Sequence, residues 1–235
     1  MVKTAGATHL LHLAWYAEHG MYWTSPLNLR WVDATIKLTE AFCRSGGHQV
    51  VIAGTCAEYG WADIKCDEAN TPLLPSTLYG ISKDATRRLV EGLCREYQVP
   101  YAWGRIFLPY GPGEDARRLI PGLIDVFRGR REAFGVNVNA YRDFLRVEDV
   151  ASGFLTLLQG GANGAFNICS GHPILIGEVV ELIARKYKAS PQMVLDLSIK
   201  KPGEPIYLAG DNNKISALGW HPKHRHDEID LDYPQ

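Results

Sequence analysis

Tyr79 and Lys83 stand four residues apart in Tyr79-Gly-Ile-Ser-Lys83. That spacing stacks two side chains about one turn apart on one face of a helix. An ammonium so placed favours the neighbouring phenolate, because a nearby positive charge lowers the pKa of an acid. Upstream, Gly54-Thr55 closes the apolar run Val50–Ala53. A hydroxyl delivered at a strand end can hold a substrate alcohol beside the tyrosine. Threonine, tyrosine and lysine together can move a proton on and off a carbinol while a hydride leaves or returns. Tyr-x-x-x-Lys pairs also arise by chance on solvated helices, so the surrounding elements must decide.

Those elements alternate. Thr8 to Ala14 reads as a short apolar strand and Pro26 to Phe42 as a helix, with Leu29, Val32 and Ile36 near helical spacing. Ser45-Gly-Gly-His48 stops it, and Val50–Ala53 has the β-branched content of a buried parallel strand. A second helix runs from about Leu78 to Tyr97, and Tyr101 to Phe107 is the next strand. This is the βαβ alternation of a doubly wound α/β domain. Beyond Gly113 the chain reads as a helix (120–127), a strand (142–147), a helix (150–158), a strand (165–168) and a helix (176–187). We divide it into 1–116, a partial Rossmann domain, and 117–235, an interleaved substrate-binding part, with 142–170 returning to the first.

The composition suits a soluble globular protein: 46% of the residues are hydrophobic and 22% charged. A formal net charge of -1 gives no electrostatic reason to expect nucleic acid or an anionic membrane as partner. Phosphate binding, if present, belongs to a local site. No apolar stretch is long enough to span a bilayer. Cys43, Cys56, Cys66, Cys94 and Cys169 are odd in number and form no C-x-x-C. They read as reduced thiols of a cytoplasmic protein. Cys56, next to Thr55, is a small residue near a strand end or a reactive thiol. His221, His224 and His226 read as a solvated cluster rather than a metal site.

Taken in order, these residues resemble the extended short-chain dehydrogenases/reductases of the nucleotide-sugar epimerase/dehydratase family. His12-Leu-Ala14 resembles the end of that family's fourth strand, and Gly54-Thr-Cys-Ala-Glu-Tyr-Gly60 its Ser/Thr-bearing motif. Tyr79 and Lys83 match the catalytic pair. Arg105, Tyr110-Gly-Pro112, Arg142-Asp-Phe144, Val147-Glu-Asp149, Phe166-Asn-Ile168, Lys201-Pro-Gly-Glu204, Asp211 and Leu218-Gly-Trp220 resemble later landmarks. The resemblance implies Tyr79 as general acid/base and Thr55 as hydrogen-bond partner of the reacting group. It implies Lys83 as the residue that lowers the tyrosine pKa and, with Tyr79 and Ala14, contacts NAD or NADP. Arg142, Lys201 and Asp211 would bind the substrate, the two cations at its pyrophosphate. From the residues alone, Arg142-Asp143 also reads as a structural ion pair, Lys201 and Asp211 as solvated charges, and Asp149 as a cap for the helix near Val150.

The sequence departs from the family in four places. No G-x-G-x-x-G precedes the first strand. Gly111-Pro-Gly-Glu-Asp-Ala116 formally fits G-x-G-x-x-A, but Pro112 removes a backbone N–H, and Glu114 and Asp115 repel phosphate. Cys56-Ala57 stands where 4,6-dehydratases carry an Asp-Glu pair, so dehydration is disfavoured; Glu58 lies one position too late to substitute. Trp31 and Leu108 replace asparagines.

The expectation is therefore an epimerase or 4-ketoreductase of nucleotide sugars with low or no activity alone. It would be a fragment, or would have its cofactor half supplied by another polypeptide or a second copy. The alternative is a non-catalytic remnant that binds a nucleotide sugar or a protein. A homodimer is expected, through the uncovered strand at His9–Ala14 in addition to helix packing.

Overall fold

The computed structural model describes residues 6–200 and 202–224. Lys201 and His226 therefore lie outside the described residues. Four parallel strands form the main sheet in the order β1 (His9–His12), β2 (Gln49–Thr55), β4 (Tyr101–Ile106), β8 (Gly164–Ile168). Helices α1 (Leu27–Arg44) and α2 (Leu78–Glu96) cover one face; α4 (Val147–Gln159) covers the other. The pleat explains the apolar run of β2. Val50 and Ile52 pack with Phe42, Val90 and Trp103 under α1 and α2, while Val51 and Ala53 pack with Phe154 and Leu157 of α4. The architecture is a three-layer α/β fold of the Rossmann type.

A second sheet is smaller and mixed. It has the order β3 (Lys65–Cys66), β10 (Tyr207–Gly210), β6 (Tyr141–Arg142), β9 (Ile174–Leu175), and only β9 runs antiparallel. A further apolar core lies between α3 (Leu119–Phe127) and α5 (Ile176–Lys186), with Val194 of the short α6 (Gln192–Leu195). A short α7 (Asn213–Ser216) follows β10.

The stretch expected to be one strand, 142–147, is instead β6 and then β7 (Leu145–Arg146), which pairs with β5 (Pro109–Tyr110). Asp143 causes the break. Its buried carboxylate accepts from Ser170 N and Oγ, Gly171 N and Gly210 N, which ties the segment to the loop after β8 and to the end of β10. It does not pair with Arg142, because successive residues of an extended chain point to opposite sides. Helix α4 begins at Val147 rather than near Val150. Asp149 therefore sits inside its first turn, and accepts from the backbone N–H groups of Lys223 and His224. It anchors the C-terminal segment and does not cap its own helix.

Candidate active site

Thr55, the last residue of β2, caps a single 3-10 turn at Cys56–Glu58, and its Oγ1 accepts from Ala57 N at 3.2 Å. Glu58 closes the turn from below. Its fully buried carboxylate accepts from Thr55 N (2.9 Å), Trp103 Nε1 (2.8 Å) and Arg105 Nε (2.8 Å). Gly54 is required here, because a Cβ would fall on Trp103 Nε1 and Glu58 Oε1.

The helix bearing Tyr79 is brought against this turn from the other side. Thr77 caps α2 by accepting from Gly80 N at 3.1 Å, which fixes where the helix starts. Gly80 allows contact with the turn, since a Cβ there would fall on the carbonyl of Ala57. The first-turn N–H of Tyr79 donates to the carbonyl of Trp23 (3.1 Å). The phenol then opens into the same cavity as the Thr55 side chain.

Lys83 follows one turn later and is 3% exposed. Its Nζ donates to Ala53 O at 2.8 Å and lies 4.0 Å from the centre of the Trp15 ring. The charge relation differs from the simple helix-face expectation. Burial raises the Tyr79 pKa well above its usual value, and Thr55, not Lys83, is the main group opposing that rise. Burial pulls Lys83 down to about 7, with Glu58 acting in the other direction. The ammonium is turned toward the strand end and Trp15, so the phenol feels it little.

Tyr79, Thr55 and Lys83 line a cavity of about 570 Å³ that also holds Arg118, Arg142 and Glu204. A second cavity of about 630 Å³ shares Tyr22, Leu108, Arg118, Arg142 and Glu204 with the first, and adds Arg131, Phe134 and Asn137. A trough thus runs from the tyrosine to a group of arginines. Arg142 is 7% exposed and donates through NH2 to Glu204 Oε1 at 2.9 Å. Arg118 donates to Glu114 Oε1 at 2.7 Å. The Gly111–Asp115 loop therefore borders the trough through Glu114.

Two expected residues fall elsewhere. Asp211 is not among the residues lining either cavity. Its carboxylate accepts from Asn213 N (2.8 Å) and Nδ2 (3.1 Å), and lies 3.7 Å from Lys65 Nζ. Ala14 follows the end of β1 between Leu13 and Trp15, which both line the first cavity, but is not itself a lining residue. The Cys56 thiol is pushed up to about 12 by burial and is unsuited to act as a nucleophile. All five cysteines are free and buried. No group of three or more His, Cys, Asp or Glu among the described residues could hold a metal ion. No described helix is long and apolar enough to cross a membrane.

A strand-end threonine and a helical tyrosine thus share one cavity with a lysine one turn on. The chain belongs to the NAD dependent epimerase/dehydratase family, whose sequence pattern matches residues 1–169. It is similar to the GDP-6-deoxy-D-mannose reductase of Pseudomonas aeruginosa, at 30% identity over 63% of this chain and 52% of that protein. It is similar to the UDP-glucose 4-epimerase of Streptomyces lividans, at 26% identity over 91% of this chain and 70% of that protein. The chain thus spans between about half and 70% of the length of these curated relatives. Among solved structures it is similar to MoeE5 in complex with UDP-glucuronic acid and NAD, with TM-score 0.82 and 26% identity, covering 97% of this chain and 78% of that one. The UDP-N-acetylglucosamine 4-epimerase from Methanobrevibacter ruminantium shares the fold, with TM-score 0.85 at 20% identity over 98% of this chain and 76% of that one.

Proposed function

We propose that this chain carries the proton-transfer and diphosphate-binding parts of an NAD(P)-dependent nucleotide-sugar epimerase or 4-ketoreductase. The observation that supports it most is the trough joining the Thr55–Tyr79 pair to Arg118, Arg131 and Arg142. A sugar carbinol at one end and a diphosphate at the other would fill it. Arginines suit that far end, because guanidinium grips phosphate in a forked geometry.

Tyr79 takes the proton of the sugar hydroxyl in the oxidative direction and returns it to the ketone in the reductive one. Thr55 holds the same oxygen and steadies the phenol. A positioned acid/base of this kind contributes about 10²–10⁴-fold. The residues fit the nicotinamide-ribose end of a dinucleotide. Lys83 carries three N–H donors and spends one on Ala53 O, and Tyr79 opens into the same cavity. Tyr79 and Lys83 would hold that ribose, and a bound nicotinamide supplies the hydride acceptor and donor.

A second reading, binding of a nucleotide sugar without turnover, is favoured by the orientation of Lys83 toward Ala53 and Trp15. Calorimetry with NAD(H) and with UDP-, dTDP-, CDP- and GDP-sugars separates the two. Cofactor binding with turnover abolished by Tyr79→Phe supports the enzyme; sugar-nucleotide binding without cofactor supports the second reading. In either case Arg142→Ala is expected to weaken nucleoside diphosphate binding about 10–100-fold, as for a lost buried charge-assisted pair. Asp211→Asn is expected to change it less than about twofold. Equal losses in the two variants would remove Arg142 from the site.

We also propose a homodimer. β1 pairs only with β2 among the described strands, and Leu29 of α1 and Ile81 and Leu89 of α2 are exposed. A monodisperse monomer in light scattering at micromolar concentration would count against it.

A further inference from the structure

Five residues line both cavities of the trough: Tyr22, Leu108, Arg118, Arg142 and Glu204. They mark the passage from the Tyr79 corner to the second cavity. In a nucleotide sugar the diphosphate lies between sugar and nucleoside. A ligand with its carbinol at Tyr79 therefore brings the sugar-bearing phosphate to this passage. Arg118 and Arg142 give the passage its positive charge, and Tyr22 is the hydroxyl among the five.

Tyr22 is held in place by the chain itself. Its N–H donates to Glu18 O at 3.1 Å, and its carbonyl accepts from Nδ2 of the fully buried Asn28 at 2.7 Å. Its ring stands edge-on to Tyr79 with centres 4.9 Å apart, and lies 4.5 Å from the Trp23 ring. The hydroxyl on this fixed ring has no hydrogen-bond partner among the described residues. Burial pushes the phenol up to about 12, against the pull of the Arg118 guanidinium, so the O–H remains a donor at any working pH. A half-buried donor within the field of a guanidinium suits an anionic acceptor, since bonds to charged groups are the stronger ones.

We propose that the Tyr22 hydroxyl binds the substrate by donating to the phosphate that carries the sugar. It thereby sets how far along the trough the carbinol stands from Tyr79. The ring contact between the two tyrosines makes that distance a property of the fold, as positioning for proton transfer requires. The proposal rests on the nucleotide-sugar reading of the trough and goes beyond it in assigning this residue and its acceptor.

The test is calorimetry on the unmutated chain and on Tyr22→Phe, which keeps the ring and removes only the hydroxyl. Of UDP-, dTDP-, CDP- and GDP-glucose, the one that the unmutated chain binds tightest is titrated, together with its free nucleoside diphosphate and monophosphate. In Tyr22→Phe the sugar nucleotide is expected to bind about 10–100-fold more weakly, as for a lost hydrogen bond to a charged group. The free diphosphate is expected to lose affinity by the same factor. The monophosphate lacks the sugar-bearing phosphate, and its affinity is expected to change less than about twofold. A loss confined to the sugar nucleotide would put the hydroxyl on the sugar instead. A loss shared by the monophosphate would mean that the variant distorts the trough, and no loss at all that the hydroxyl touches nothing. Each of these three results overturns the proposal and leaves the proposed function standing. Failure of all four sugar nucleotides and their free diphosphates to bind the unmutated chain overturns the nucleotide-sugar reading, and this proposal with it.

Discussion

Two buried cations lie beneath one site, and they are held in opposite ways. Arg105, 1% exposed, donates Nε to Glu58 at 2.8 Å and NH1 to the Tyr59 hydroxyl at 3.0 Å. Burial alone would lower its pKa, but Glu58 and Tyr59 outweigh that and keep it above its ordinary value. Lys83, 3% exposed, has a neutral carbonyl and an aromatic face, and falls to about 7. The first charge is permanent and fixes the shape of the Thr55 turn through a shared carboxylate. The second can be lost near neutral pH, one helical turn from the tyrosine proposed to move a proton. The fixed charge is in the framework, and the titratable one is where the proton chemistry would occur.

Removing the shared carboxylate should break the first arrangement. Glu58→Ala leaves the Arg105 guanidinium buried without its counterion and strips Thr55 N and Trp103 Nε1 of their acceptor. Loss of one partner of a buried pair costs about 3–5 kcal/mol. The expected outcome is a loss of that size in urea denaturation. The double variant Glu58→Ala/Arg105→Met should lose less than the sum of its single variants, because the uncompensated charge is gone. A loss below about 1 kcal/mol in Glu58→Ala would show that the pair is not what organises the turn.

Lys83 should show itself in pH dependence. Its folded pKa of about 7 lies below the unfolded value near 10.5. Between these values the unfolded chain binds a proton that the folded chain does not. Stability therefore rises with pH in this window, at up to about 1.4 kcal/mol per unit. Below pH 7 both states are protonated and the slope vanishes. Lys83→Met lacks this contribution, so its stability relative to the parent should fall by about 2–3 kcal/mol between pH 7 and 9. Groups common to both proteins cancel in the difference. Parallel curves would mean that Lys83 stays charged in the fold.

Much of this arrangement was legible in the chain because it rests on local periodicity. A four-residue helical spacing joins Tyr79 to Lys83, and an apolar run ends at Thr55. Arg142 was found on its motif, and the trough holds it. The Glu58 hub was not legible. Its position in the motif argued only against dehydration, whereas its partners Trp103 and Arg105 lie 45 and 47 residues away on another strand. No spacing announces such a contact. Arg118, Arg131 and the pairing of Glu204 with Arg142 escaped for the same reason, and the rings of Tyr22 and Trp23 against Tyr79 because residues 15–23 follow no period. Asp211 stood among family landmarks, but its carboxylate serves the first turn of α7.

The smallest effect asks what the ring over Lys83 contributes. Trp15→Leu keeps an apolar cover and removes the π-face. It also frees Asn28 Oδ1, a cost that does not depend on pH and so does not move the titration. A cation over an aromatic face gains about 0.5–2 kcal/mol, the upper end when desolvated. Losing that gain should lower the Lys83 pKa by about half a unit to one and a half units. The pH at which stability begins to rise should then move below 7 by the same amount. A shift to higher pH would mean that the indole acts chiefly by excluding water, since admitted water restores the charged form. Either shift isolates what distinguishes Lys83 from Arg105, because a guanidinium bonded to a carboxylate has no comparable dependence on a neutral ring.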